Sequence, residues 1–501
     1  MLSHMRALHS SNQFKSLETI LSRINENLRN SFCWILESLL LEHQGKISEA
    51  QRATKRALEL SPESPQNNWH LVYLYIRYDL DKIELRDFLS SIPSQTIQNH
   101  NPISLKLLFA ISDYYDPELA EKTILRWFLD DPEKTSETVT NFYLRRITEN
   151  PKAATTPLYI GDEIPAYTFK KNGVKDYCFI ANRDDSTHSR KIIKPDTPMF
   201  EVLEEGQDTT IGMSEITEIA RIPPLLAAFQ IASQIRQANN FGFDSFFSFE
   251  GETPEESIEQ LLRTIKKIDA QTPKELPQDP KIPLFMKGYL LGNGNPVQNA
   301  FDHLCSAQSF KHSLPNFGIK DPDVIVIDTY SALLLSITGA VSSLAQKNTK
   351  CVITKETREL LERWATEIKQ PSLKTIGVTE KGKIWSEDSH ERMKRVGFTQ
   401  KGINILLDIC EEAHPELCDI PEEIASISDS IDQSILSSLI LSVANDIPWF
   451  CIDPMFAHLF NQMNCKTIDA STFLLDLISS TDLSEKKTGI YLHISANLPR
   501  P

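Results

Sequence analysis

The sequence is poor in glycine, has no closely spaced cysteine pair and carries no excess of positive charge. Only 17 of its 501 residues are glycine, which disfavours glycine-rich β architecture. Its 8 cysteines include no Cys-X-X-Cys pair, so the usual zinc-ribbon and thioredoxin-type motifs are absent. The formal net charge of −16 provides no overall attraction for nucleic acid or acidic membranes. An RNA contact would therefore require a local basic patch.

The sequence also lacks the apolar segments of secreted and membrane proteins. Residues 1–6 do not contain the continuous apolar core of a signal peptide. Residues 324–345 are long enough to cross a bilayer, but they include Asp328, and an aspartate in the middle of a span costs about 3 kcal/mol. The cysteines are scattered in apolar contexts, as expected of reduced thiols. We therefore predict a cytoplasmic protein that has no membrane partner.

Two local patterns could be mistaken for ligand sites. Cys410, His414 and Cys418 are spaced by four residues, but three ligands without a fourth make a poor zinc site. A single amphipathic helix is the simpler interpretation of that spacing. The glycine-rich stretch at 291–296 follows no predicted strand and precedes no Lys-Ser/Thr pair, so we predict a turn there and not a phosphate-binding loop.

Residues 1–150 are predicted to be entirely helical, because their apolar residues recur at helical spacing. Within residues 32–62, aromatic, small and turn residues follow the order of a tetratricopeptide repeat: Trp34, Ser38, Leu41, Gly45, Ala50, Ala57 and Pro62. Small residues allow paired helices to approach closely, and proline ends the second helix. An unrelated helical hairpin is the alternative. The repeat arrangement predicts a surface for a protein partner.

A small β-rich module is predicted at 155–225. Residues 164–169 and 177–181 are mostly apolar and aromatic, and Lys171-Asn172-Gly173 between them predicts a hairpin turn. Residues 226–320 are predicted to be a helical linker region. Thr253-Pro254-Glu255-Glu256 is a helix start signal in this region, and a proline-rich segment follows at 272–283.

Residues 321–501 alternate between predicted strands and helices, which is typical of a parallel sheet covered on both faces. The predicted strands are 324–327, 350–353, 449–452 and 466–468, and the predicted helices are 331–344, 354–368, 432–444 and 471–478, with further helices between 370 and 430. The predicted fold class is therefore multidomain: an all-α region, a small β-rich module and a C-terminal α/β domain.

Carboxylates follow two of the predicted strands in the C-terminal domain. Asp328 comes directly after Val324–Ile327, and Asp453 comes directly after Trp449–Ile452. Ligands bind in α/β proteins outside the carboxyl ends of the parallel strands, so the two side chains are expected at the same edge. Asp432 begins a predicted helix, and Glu356 and Glu359 lie one turn apart on another.

Several carboxylates around one pocket favour Mg²⁺ or Mn²⁺, because these hard ions prefer oxygen ligands. Each of these residues also has a simpler interpretation. Asp328 and Asp432 could cap the helices that follow them, and Asp453 could belong to a turn before Pro454. Glu359 could lie on a solvated helix face.

The order of these parts resembles bacterial proteins that join tetratricopeptide repeats, a Gre-factor C-terminal-like domain and a PIN-like nuclease domain. The Gre-like part is carried by Ile164-Pro165-Ala166-Tyr167, Thr197-Pro198 and Gly212, and the PIN-like part by 323–339, 351–368, 432–444, 448–453 and 465–471. The resemblance implies a metal-dependent endoribonuclease. It also implies RNA polymerase as a candidate partner of the Gre-like module, which lacks the acidic coiled coil of the Gre factors.

Carried over to this sequence, the resemblance makes Asp328 the first metal-binding acid and Asp453 the acid after the late strand. Asp432 lies near the third acid, although the commoner pattern has an acid closer to Ser437. Glu359 fits the acid on the second helix, with Glu356 as the alternative. The implied cofactor is Mg²⁺ or Mn²⁺.

A basic segment supports an RNA contact. Residues 350–401 contain twelve lysines and arginines against eight acidic residues, with Trp364 and Trp385 between them. Such charges bind phosphates, and such rings stack on bases. A solvated helix face of mixed charge is the alternative interpretation of each lysine here. The alternative to the ribonuclease is a non-catalytic interaction protein in which the PIN-like fold is a scaffold, consistent with the uncertain third acid and the acidic net charge.

Overall fold

The structure is a computed structural model, and it describes most of the chain. The described residues are 2–149, 164–181, 191–195, 197–238, 283–286, 296–305, 314–368, 375–378, 384–387, 389–463 and 465–479. The chain divides into two compact units. One unit consists of Met1–Leu28, Leu39–Lys46 and Arg263–Pro501, and the other of Arg29–Ser38 and Ile47–Leu262. Among the described residues, no helix is both long enough and apolar enough to cross a membrane.

The N-terminal region is helical, as predicted. Its α-helices are α1 Leu2–Ser10, α2 Phe14–Ser22, α3 Ser31–His43, α4 Ile47–Leu60, α5 Pro65–Arg77, α6 Lys82–Ser91, α7 Pro102–Tyr114, α8 Pro117–Asp130 and α9 Pro132–Glu149. Four of them begin with a side-chain cap followed by proline, at Ser64, Asn101, Asp116 and Asp131. Proline is favoured at this position because the first helical N–H groups have no partner within the helix.

Small residues in the predicted repeat segment are buried, as close helix packing requires. Ala50 and Ala57 of α4 have no exposed surface. The Ser38 hydroxyl donates a hydrogen bond to the Ala50 carbonyl at 2.8 Å and lies 2.9 Å from His70 Nε2. These contacts join α4 and α5 to the first part of α3. The identity of the segment as a tetratricopeptide repeat stays a prediction.

A five-stranded sheet follows, in the order β3-β2-β1-β5-β4. Its elements are β1 Ala166–Lys171, β2 Val174–Ile180, β3 Ile192–Ile193, α10 Pro198–Glu205, β4 Thr209–Ile211, β5 Ser214–Ile222 and α11 Pro224–Ala238. The predicted hairpin is confirmed, since β1 and β2 pair antiparallel around Asn172 and Gly173. Both turn residues have positive φ, at 51° and 80°, which the Asn-Gly sequence accommodates.

Little of the predicted linker region is described. Residues 239–282, 287–295 and 306–313 lie outside the described part of the chain. The helix predicted from Thr253, most of the proline-rich segment and the glycine-rich stretch up to Asn295 therefore cannot be compared with the structure. A short turn at 284–286 and α12, Pro296–Cys305, are described.

The C-terminal part is an α/β domain, as predicted. Its strands β6 Val324–Ile327, β7 Lys350–Ile353, β10 Cys410–Glu412 and β11 Trp449–Phe450 form a parallel sheet in the order β10-β7-β6-β11, while β8 Thr375–Val378 and β9 Ile384–Glu387 form a separate hairpin. The helices are α13 Thr329–Thr338, α14 Val341–Leu344, α15 Lys355–Glu367, α16 Ser389–Ile409, α17 Glu422–Ile427, α18 Gln433–Asn445, α19 Pro454–Gln462 and α20 Ala470–Ser479.

Three sequence predictions in this domain are wrong in detail. The helix predicted for 331–344 is divided at Gly339, which has φ 73° and ends α13. The strand predicted for 466–468 is reduced to isolated bridges of Thr467 and Ile468. The helix inferred for Cys410 to Cys418 is absent, because Cys410 begins β10 and the chain then continues without a helix to Cys418.

Helices α1 and α2 belong to the same compact unit as the α/β domain. The Ser16 amide and hydroxyl both donate to the Asp419 carboxylate, at 3.0 and 2.6 Å. Gln13 Nε2 donates to the Ile420 carbonyl at 2.7 Å. The start of α2 is thus hydrogen-bonded to the loop after β10.

Helix α13 is the central helix of this domain, and all of its residues are buried. Helix α16 crosses it at Gly402, where an added Cβ would lie 2.9 Å from the Cα of Ser336. Because that neighbour is backbone, α16 or α13 would have to shift to accept a side chain. Gly397 on the same helix has room, since its nearest neighbour would be the flexible end of Met393 at 3.4 Å.

We therefore expect Gly402→Ala to destabilise the domain by about 1–3 kcal/mol through overpacking. The matched change Gly397→Ala should be neutral or stabilising by up to about 1 kcal/mol, because alanine is the better helix former. Chemical denaturation of the two variants, followed by circular dichroism, measures the difference. Equal stability of the two variants would contradict the close crossing.

Candidate functional site

Asp328 lies at the carboxyl end of β6 and caps α13. Its side chain has no exposed surface. Oδ1 accepts a hydrogen bond from the Ser331 amide at 2.8 Å. Oδ2 accepts from the Ser331 hydroxyl at 2.9 Å and from Trp449 Nε1 at 2.8 Å. Burial raises the pKa of Asp328 to about 6, although these hydrogen bonds act in the opposite direction.

Asp453 is the equivalent residue of the neighbouring strand. It follows β11, caps α19 and is also fully buried. Oδ1 accepts from the amides of Met455 and Phe456 at 2.9 and 3.2 Å, and Oδ2 accepts from the amide of Phe285 at 3.2 Å. Burial raises the pKa of this carboxyl, and the amide of Leu284 is among the donors that oppose the rise.

The two aspartates lie at the same edge of the sheet, as the strand order requires. Strands β6 and β11 are parallel neighbours, so their carboxyl ends coincide. Burial holds the pKa of the Cys451 thiol well above its usual value, and the carboxylates of Asp453 and Asp328 raise it further. Both acids therefore lie near Cys451, which is itself fully buried.

Aromatic side chains cover this edge. The ring of Phe285 lies 5.1 Å from that of Tyr330, 5.7 Å from that of Trp449 and 5.4 Å from that of Phe456. Phe285 is fully buried. The space beside Asp453 is thus filled by a phenyl ring from a segment more than 35 residues before β6.

Asp432 caps α18 and is half-buried. Its Oδ1 accepts from the amide and the hydroxyl of Ser434, at 2.9 and 2.5 Å. The Ser434 hydroxyl lies 2.7 Å from Thr329 Oγ1, directly after Asp328 in the chain. Asp432 is therefore connected to the start of α13 through two hydroxyl groups.

The fully buried polar side chain of α15 is Thr357, and not one of the predicted glutamates. Glu356 and Glu359 are both half-buried. Burial lowers the pKa of His43, and the nearby carboxylate of Glu356 opposes this with a smaller effect. Thr357 is fully buried between the two glutamates, with its Oγ1 3.1 Å from Ser438 Oγ. The polar groups in this part of the interior are therefore hydroxyls and not the predicted carboxylates.

Three features of the site were not predicted from the sequence. They are the buried hydroxyl groups, the hydrogen bond from Trp449 to Asp328, and the packing of Phe285 over the edge of the sheet. A sequence signal for the hydroxyls exists, because Asp328-Ser331 and Thr354-Thr357 have the three-residue spacing of helix caps. No local signal indicates that the indole of Trp449 reaches Asp328.

The arrangement does not fit a divalent metal ion. A carboxylate has about four acceptor positions, and Asp328 and Asp453 already use most of them for N–H and O–H donors. Mg²⁺ requires six oxygen ligands at about 2.0–2.1 Å. In the part of the chain that the structure describes, no group of three or more histidine, cysteine or acidic side chains could hold a metal. Catalysis and metal binding by Asp328, Glu359, Asp432 and Asp453 stay predictions from the sequence.

The parallel sheet carries two aspartates at neighbouring strand ends, and most of this α/β domain matches a PIN family model. The family model that matches is described as the PIN domain associated with the TPR-GreAB-C-PIN system, and it covers residues 326–461. This stretch begins within β6 and ends within α19, so it contains the four predicted acids but not Phe285. No curated protein matches the chain, and no solved structure matches it either.

Proposed function

We propose that this chain is an interaction protein whose PIN-like domain is a closed structural module and not an open catalytic site. The observation that carries the proposal is the complete burial of Asp328 and Asp453. Each carboxylate satisfies the first turn of the following helix, and hydrogen-bond donors from other segments take further acceptor positions. A metal ion or a phosphodiester would have to displace these donors and the ring of Phe285.

The β-rich module supports a role in protein binding. Val174 is 70% exposed and Met213 is 99% exposed. Both lie at hairpin turns, and the two turns are joined because Asn172 and Glu215 exchange two hydrogen bonds, at 2.8 and 2.9 Å. Two exposed apolar side chains at one end of the sheet are suited to contact a partner protein. RNA polymerase is the candidate partner here, on the Gre-like resemblance, and the helical region is the second candidate surface for a protein partner.

A metal-dependent ribonuclease is the second candidate function. It is favoured by the position of Asp328 and Asp453 after neighbouring parallel strands, within the stretch that the family model matches. The basic segment supports it only in part, because Lys350 forms an ion pair with Glu411 at 2.6 Å and Arg358 one with Glu412 at 3.5 Å. These pairs offset some of the positive charge that would attract RNA.

An RNA cleavage assay separates the two functions. The full chain, its Asp328→Asn variant and its Glu359→Gln variant are incubated with end-labelled single-stranded and structured RNAs in Mn²⁺ or Mg²⁺. We expect the same background with all three proteins, because Asp328 is fully buried with its carboxylate oxygens bound to N–H and O–H donors, and Glu359 alone does not make a metal site. Glu359→Gln controls for loss of stability, since Glu359 is only half-buried. Metal-dependent cleavage that both variants abolish would replace the interaction role by the ribonuclease.

A further inference from the structure

A cleft between α7 and α9 of the helical region contains two arginine side chains. Its volume is about 230 Å³, and it lies beside the start of α8. The side chains that line it are aromatic, cationic or small: Phe109, Phe142, Arg145, Arg146, Ser112, Asp113 and Pro117. All of them belong to one compact unit. An apolar cavity of about 150 Å³ holds one benzene molecule, so this cleft has room for a ring with a small polar group.

The first arginine is oriented by a ring and a carboxylate. The rings of Phe109 and Phe142 are stacked, with their centroids 5.5 Å apart. The guanidinium of Arg145 lies over the Phe109 ring, with 4.6 Å between its Cζ and the ring centroid. Its Nη2 donates a hydrogen bond to Asp113 Oδ2 at 2.8 Å. A guanidinium that is fixed in this way is suited to bind a planar anion such as a carboxylate.

The second arginine forms an ion pair with a buried acid. Arg146 Nη1 lies 2.5 Å from Oε1 of Glu121, a residue of α8 whose side chain has no exposed surface. Within the described part of the chain, neither Arg146 Nε nor Glu121 Oε2 has a hydrogen-bond partner. Buried polar atoms without a partner are rare, because they lower the stability of the fold. A ligand that offers a further acceptor to Arg146 would offset this cost.

The charges of the cleft favour a ligand with one negative charge. Burial raises the pKa of Glu121 to about 7, and the charged groups that act on it are Arg146 from α9 and Glu118 of its own helix. Glu118 is paired with Lys122 at 2.9 Å. When Glu121 is protonated, two guanidiniums face the carboxylate of Asp113 alone, which leaves one net positive charge. One carboxylate matches this charge, whereas Asp113 would repel the second charge of a phosphate dianion.

We infer that the cleft lined by Phe109, Phe142, Arg145 and Arg146 binds a carboxylate on an aromatic body the size of one side chain. The stacked rings contact the aromatic body, and Arg145 binds the carboxylate. Arg146 exchanges its ion pair with Glu121 for one with the ligand, while Glu121 takes up a proton from water. Such a group occurs in small aromatic acids and at the C-terminal residue of a protein chain. The inference goes beyond the proposed function, because it does not depend on the PIN-like domain.

Titrations of the full chain, followed by ligand-observed NMR, test the site. The probes are hydrocinnamate, N-acetylphenylalanine, which represents a chain end, and the neutral control hydrocinnamamide. At pH 6 we expect both acids to bind the wild type at least about tenfold more tightly than the amide, because a carboxylate gains charge-assisted hydrogen bonds. The acid that binds more tightly identifies the source of the ligand. Equal affinity of the acids and the amide would overturn the inference.

Arg145→Gln and Arg126→Gln are a matched pair of variants. Arg145 lines the cleft and its side chain is 43% exposed, whereas Arg126 is an exposed arginine of α8 that does not line the cleft. We expect Arg145→Gln to bind hydrocinnamate at least about tenfold more weakly than the wild type, since it loses hydrogen bonds to a charged group. Arg126→Gln should bind like the wild type. Equal affinity of the two variants would contradict the site.

Glu121→Gln tests the contribution of Arg146. At pH 8 only about a tenth of the wild-type protein has Glu121 protonated, since its pKa is about 7. Hydrocinnamate is ionised at both pH values, so the wild type should bind it about tenfold more weakly at pH 8 than at pH 6. Glutamine carries no charge, so Glu121→Gln should bind equally well at both. Equal affinities of the wild type and Glu121→Gln at pH 8 would remove Arg146 from the site and overturn the inference.

Discussion

We expect the replacement of Asp328 with alanine to lower the stability of the PIN-like domain by about 3–5 kcal/mol. The substitution leaves the Ser331 amide and the indole N–H of Trp449 buried without an acceptor, and it removes one hydrogen bond of the Ser331 hydroxyl. An unsatisfied buried donor costs about 1–3 kcal/mol, and the lost carboxylate leaves a small cavity in addition. Hydrogen exchange of the β6 amides measures this loss within the domain.

Asp432→Ala is the matched control for this prediction. Asp432 is also an aspartate at a helix start with a serine partner, but it is half-buried, so water can satisfy the donors that it leaves. The expected loss is about 1 kcal/mol, typical of an N-cap. Similar losses for Asp328→Ala and Asp432→Ala would mean that the burial of Asp328 contributes little to stability.

The sequence was sufficient to predict the parallel sheet and the edge where Asp328 and Asp453 meet. Strand β6 is a continuous apolar run, and β7 is apolar after Lys350; a helix-capping residue follows each of them, and such runs are typical of strands buried on both faces. Strand β10 was not predicted, because Cys410–Glu412 follows a helix directly and contains two glutamates. Its conformation depends on pairing with β7, which is distant in the sequence.

Local sequence could not predict whether the carboxylates at this edge bind a metal ion or accept hydrogen bonds from the protein. An aspartate after a strand is expected both in a metal site and in a helix cap, so Asp328 and Asp453 were compatible with either. What distinguishes the two is which donors reach the carboxylates. Those donors include the Trp449 indole and the Phe285 amide, which lie 121 and 168 residues from their acceptors.

A second large effect is expected from Glu121 in the helical region. Its side chain has no exposed surface, and Arg146 Nη1 lies 2.5 Å from its Oε1. Burial raises the pKa of this carboxyl from 4.5 to about 7, and the Arg146 guanidinium offsets only part of the rise. The folded protein therefore holds the Glu121 proton more tightly than the unfolded chain does.

The sign of the pH dependence follows from that difference in proton binding. The contribution of Glu121 is fully present below about pH 4.5 and is lost as the pH rises through about 7. A shift of this size corresponds to about 3 kcal/mol.

Glu121→Gln keeps a neutral side chain of the same shape, so we expect it to stabilise the helical region relative to the wild type at pH 8 but not at pH 4.5. Exposed Glu137 on α9 provides the control substitution Glu137→Gln. Urea unfolding of the three proteins between pH 4.5 and 8 measures the effect, and a difference between the wild type and Glu121→Gln that stays constant with pH would contradict it.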